Sequence, residues 1–62
     1  MDIIKRLLEE AHENGKYCYA FQEARHGFRI IAVRKRKGHV EVQALHSGEW
    51  IRVYPLMRFS VR

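Results

Sequence analysis

Apolar residues at Ile3, Ile4, Leu7, Leu8 and Ala11 recur at helical spacing and form one stripe. Beyond Gly15 the periodicity changes. Runs rich in Val, Ile, Tyr and Phe alternate with polar residues and are separated by Gly27, Gly38 and Gly48. The pattern predicts a helix over about 2–14 and strands over about 16–24, 28–36, 39–46, 49–54 and 57–61. Asp2 is placed to cap the first turn, and Asn14-Gly15 to end the helix, since glycine readily takes the left-handed conformation after a last turn. Lys5 with Glu9 and Arg6 with Glu10 are i,i+4 pairs on its polar side, in the weaker orientation. A single domain, 1–62, of α+β class is expected, with the N-terminal helix packed on a bent antiparallel meander of four to five strands.

Two-residue turns give a register. With Lys37-Gly38 as a hairpin loop, Arg36 pairs His39, Arg34 pairs Glu41, Val33 pairs Val42 and Ile31 pairs Ala44. Opposite charges meet, and apolar meets apolar. With Ser47-Gly48 as the next loop, Val42 pairs Val53, Gln43 pairs Arg52, Ala44 pairs Ile51 and Leu45 pairs Trp50. Both hairpins put Ile31, Val33, Val42, Ala44, Ile51 and Val53 on one face, where the helix is expected. The opposite face receives Ile30, Leu45 and Trp50 at one end, with Arg34, Glu41, Arg52 and Tyr54 beside them. A two-residue loop at His26-Gly27 adds Tyr17, Tyr19 and Phe21 to this second face and turns Cys18 and Ala20 to the first. A three-residue loop at Arg25-His26-Gly27 would swap them all.

Alternation continues through Pro55 to Val61, and Pro55 calls for an edge, bulge or corner. One helix followed by five short, bent strands is the element order of Sm-like and SH3-like small barrels, so closure into such a barrel is one expected outcome. Gly48-Glu49-Trp50 with Arg52, Tyr54, Leu56 and Arg58 faintly resembles the end of the Sm-like WYL domain over about a dozen residues. The inserted Ile51 and the lack of that domain's namesake run depart from it, and membership does not follow.

Composition sharpens the picture at one point, the charge. The formal net charge is +5, yet residues 1–13 hold two cations against four carboxylates, so residues 14–62 carry +7. A basic sheet region favours a polyanionic partner. Cys18 is the only cysteine, which rules out an internal disulfide and fits a reducing, cytoplasmic setting. No apolar run approaches the ~20 residues of a membrane helix, so no membrane partner is expected.

The second face carries the candidate chemistry. Tyr17, Tyr19, Phe21, Trp50 and Tyr54 offer flat rings, while Arg34, Lys35, Arg36, Lys37, Arg52 and Arg58 offer phosphate contacts. Rings that stack bases beside cations that track the backbone suit nucleic acid, single-stranded nucleic acid in particular. Aromatic rings at strand spacing are more often packing, in a core or a dimer interface. The reading is a small, non-enzymatic, nucleic-acid-binding or nucleic-acid-associated accessory module. The alternative is a protein-interaction module or small regulator, a homodimer being expected, with Ile30, Leu45 and Trp50 as its interface. His12, His26, His39 and His46 do not fall at zinc-site spacing, and Cys18 has no CxxC partner. No metal or other cofactor is expected, nor any catalytic residue: paired carboxylates in a cleft and a glycine-rich phosphate loop are both missing, and a Cys18 nucleophile is a remote option.

Overall fold

The fold is that of a computed structural model, which describes residues 2–23 and 26–62 apart from the Asp2 side chain. The capping role expected of Asp2, and Arg25 in the first loop, lie outside the described residues. Helix α1 spans Asp2–Glu13, followed by strands β1 (Cys18–Phe21), β2 (Phe28–Arg36), β3 (His39–Ala44), β4 (Trp50–Arg52) and β5 (Arg58–Val61). The five strands form one antiparallel sheet in the order β4-β3-β2-β1-β5, and the class is α+β.

Local chemistry explains the ends of the elements. The Gly15 N–H donates to the His12 carbonyl and the Lys16 N–H to the Ala11 carbonyl, with Gly15 at a φ of 65°. That is a Schellman stop, which satisfies carbonyls the helix would otherwise leave open. Lys37 and Gly38 both have positive φ, the two-residue turn whose twist matches the flanking strands. The β3–β4 connection is longer than the predicted two residues. The Ala44 N–H donates to the Glu49 carbonyl, and Gly48 N–H to the Ala44 carbonyl, so residues 45–48 form the loop. Val42 consequently faces Ile51 and Gln43 faces Trp50. The slip relative to the predicted pairing is two residues, so every side chain keeps its face.

The larger departure is in β2. Ile30 faces Ala44, while Ala32 faces Gln43, so Ile31 is the extra residue of a β-bulge. Ile31 is 45 % exposed, and Ile30, expected on the outer face, is 2 % exposed in the core. The first hairpin also has a different register, with Cys18 facing Ile30 and Ala20 facing Phe28. This odd shift and the bulge cancel. Cys18 and Ala20 lie in the core as predicted, and Tyr19 and Phe21 take the other face.

Core residues Ile4, Ala11, Cys18, Ala20, Ile30, Val42 and Met57 form one cluster. Ile3 stays exposed, so the buried stripe of α1 begins at Ile4. The helix packs on β1, β2 and β5, so of the face expected for it, which ran from β2 to β4, it covers only the β2 side. Small Cys18 and Ala20 give it room. The rest of the core face is filled by Val53, Tyr54 and Met57 from the link between β4 and β5. This link forces the sheet to curl. A flat sheet of five strands sets its outer strands about 19 Å apart. Fully extended, the steps from Arg52 to Arg58 reach about 20 Å, and the link spends part of that on a turn closed by the Met57 N–H and Tyr54 carbonyl at 3.0 Å. The sheet bends toward the core and leaves its other face convex. Among the described residues β4 and β5 do not pair, so it is not a closed barrel.

Candidate nucleic-acid interface

Strand pairing fixes which side chains share the convex face. Arg62 pairs Tyr17 through reciprocal backbone hydrogen bonds of 2.9 and 2.8 Å. Ser60, Tyr19 and Arg29 form the next row, and Arg58 and Phe21 the one after. Beyond the bulge come Ala32, Gln43 and Trp50, then Arg34, Glu41 and Arg52, then Arg36 and His39. The strand cations of this face are all arginines, Arg29, Arg34, Arg36, Arg52 and Arg58, and Arg62 just beyond β5 joins them. One carboxylate, Glu41, stands against them.

Three of the rings have an arginine against them, although Tyr17 remains 47 % exposed. The Arg29 guanidinium carbon lies 3.7 Å from the centroid of the Tyr17 ring, that of Arg34 4.0 Å from Trp50, and that of Arg62 5.0 Å from Phe21. Arg34 is also held by its Nε donating to Glu41 Oε1 at 2.7 Å, and Arg62 Nε donates to Ser60 Oγ at 3.2 Å. A guanidinium over a ring keeps its charge while losing rotational freedom. Phe21 also lies against Gly27, where an added Cβ would stand 2.3 Å from its Cε2. Gly27 therefore serves ring packing, not the predicted turn, and it lacks the positive φ seen at Gly15, Gly38 and Gly48. At the Tyr17 end the face runs into a groove of about 320 Å³, bordered by Leu8, His12, Lys16, Arg29 and Ile31.

Of the predicted site residues, Tyr17, Tyr19, Phe21, Arg34, Arg36, Arg52 and Arg58 share the convex face. Lys35 alternates onto the opposite side, across from Val40, and Lys37 sits in the turn. Tyr54 is turned against the core, because β4 ends at Arg52 and the chain enters its corner. The interface trio does not assemble. Ile30 is in the core, Trp50 lies under Arg34, and Leu45 remains 50 % exposed. Arg29 and Arg62 were missed, although both alternate with apolar neighbours in the sequence.

Cys18 sits among the apolar core side chains, and burial pushes its thiol above the ordinary range. A thiol reagent should modify it slowly in the native protein and fully in denaturant. Since its folded pKa is raised, the stability it contributes is complete below the ordinary thiol pKa and is lost as pH rises through the folded value. Equal modification rates with and without denaturant would contradict this burial.

Among the described residues, no cluster of three or more His, Cys, Asp or Glu side chains is placed to hold a metal, and no helix is long and apolar enough to cross a membrane. No protein-family model, curated protein or solved structure matches the chain.

Proposed function

We propose that this chain is a small non-enzymatic module that binds nucleic acid through its convex sheet face, in the cytoplasm and without a cofactor. The observation that carries the reading is the segregation of charge. Five strand arginines and Arg62 just beyond β5 face outward, with Glu41 as the one carboxylate in the paired rows among the described residues, while α1, which bears most of the carboxylates, packs on the other side. Phosphate attracts such a face, and the arginine fork suits phosphate oxygens better than lysine does. The protein-interaction alternative, including the homodimer, loses support because Ile30 is withdrawn into the core.

Fluorescence anisotropy with single- and double-stranded probes at several salt concentrations tests the proposal. Log affinity should fall linearly with log salt. Arg52→Gln with Arg58→Gln should lower the slope by roughly 0.7 for each single-strand phosphate contact removed. Both sites are exposed, so the fold should survive. Absence of binding at low salt would discard the proposal and leave a protein partner as the better account.

A further inference from the structure

We infer that the ligand is single-stranded and that its bases stack on the guanidinium planes of Arg34 and Arg62, not on the Trp50 and Phe21 rings beneath them. This rests on the nucleic-acid reading above and deepens it. Bare rings would offer their own faces to bases. Here Trp50 is already covered by Arg34 at 4.0 Å and Phe21 more loosely by Arg62 at 5.0 Å, whereas Tyr17 stays 47 % exposed beside Arg29 and Tyr19 has no arginine over it among the described residues. A guanidinium has two planes. One is spent on the ring, and the other is left for a ligand. Base stacking on arginine planes is an established mode of single-strand recognition. The ring below fixes the platform's orientation, so little side-chain freedom is lost when a base arrives.

The arginines then divide into two groups. Arg34 and Arg62 are platforms; Arg29 is not, because the Tyr17 ring beside it is itself 47 % exposed. Arg34 fits this role best, because Glu41 offsets its charge and holds its Nε, which suits a neutral base more than a phosphate. Arg36, Arg52 and Arg58 have no ring beneath them among the described residues and are left to contact phosphates. Shape supports the choice of a single strand. A flexible strand follows a convex surface, whereas a duplex is itself convex and touches such a face over a short arc.

Lysine separates the two roles, because it keeps the charge and has no plane. Oligo-dT, an abasic oligonucleotide of equal length and a duplex are titrated against the unmodified protein, Arg34→Lys and Arg62→Lys. The unmodified protein should bind oligo-dT more tightly than the abasic strand. Each lysine variant should lose roughly five- to hundredfold on oligo-dT, little on the abasic strand or duplex, and keep the salt slope. Equal affinity of the unmodified protein for oligo-dT and the abasic strand overturns the inference while the nucleic-acid reading stands. So do lysine variants that bind oligo-dT as the unmodified protein does, or that lose affinity equally for all three probes. The abasic comparison needs no variant and decides the matter even if a substitution unfolds the chain. Failure to bind any probe at low salt overturns both.

Discussion

Ile30→Ala is expected to remove a large share of the protein's stability, whereas Ile31→Ala, one residue further on, should leave the urea midpoint nearly in place. Ile30 is 2 % exposed and belongs to the core cluster beneath the helix; Ile31 is 45 % exposed at the bulge. Truncating a buried isoleucine costs ~2–5 kcal/mol. A domain of 62 residues has a total of roughly 3–9 kcal/mol at ordinary per-residue stability. The first substitution therefore takes about half of what is available. The second forfeits little beyond strand propensity, under ~1 kcal/mol. An uninterrupted β2 would reverse the order, with Ile31 inside and Ile30 outside. Chemical denaturation of the two variants decides between these registers, and similar losses in both would contradict the bulge.

That reversal shows where the sequence stops being legible. The helix, the meander order and the Lys37-Gly38 turn follow from periodicity and turn chemistry. So does the pairing of Arg34 with Glu41, which is also a hydrogen-bonded ion pair. The segment Ile30-Ile31-Ala32-Val33 is apolar throughout, and alternation cannot be read inside it. Its flanks do hold the signal. Phe28 and Ile30 bracket polar Arg29, while Val33 is bracketed from the other side by Arg34. The even phase upstream and the odd phase downstream cannot both continue, so one residue must be inserted between them. The link from β4 to β5 is harder. Tyr54 sits at an even position like Arg52, yet the corner at Pro55 removes it from strand geometry and packs it on the core. Where the chain turns, alternation no longer predicts direction.

The candidate site was legible as a composition and not as an arrangement. Aromatic and basic residues on one face are a strand-parity statement, and parity survived because the register errors in β1–β2 and β3–β4 were compensated or even. The stacking of Arg29 on Tyr17, Arg34 on Trp50 and Arg62 on Phe21 depends on diagonal neighbours and rotamers, which a periodic pattern does not encode. This arrangement changes the chemistry expected of the face. In the proposed mode the Trp50 and Phe21 rings serve as supports, and the arginines over them are the surface offered to a base.

Gly27→Ala should destabilise the protein by ~1–3 kcal/mol, and most of that loss should vanish when Phe21 is shortened. The added methyl would lie 2.3 Å from Phe21 Cε2 and 2.6 Å from its Cδ2, so the ring must swing away. Phe21 is half-buried on the convex face, and swinging it out gives up its cover of the glycine backbone and its stack with Arg62. In a Phe21→Leu background the methyl meets a smaller, more adaptable side chain. The double-mutant cycle should therefore show a coupling of at least 0.5 kcal/mol. If Gly27 instead served only backbone conformation, the alanine penalty would be the same in both backgrounds. The consequence extends to binding. Displacing the ring frees Arg62 from its support, so Gly27→Ala should weaken oligo-dT binding at constant charge and leave the salt slope unchanged. A coupling near zero in denaturation would show that Phe21 does not rest on Gly27, and would remove the support assigned to Arg62.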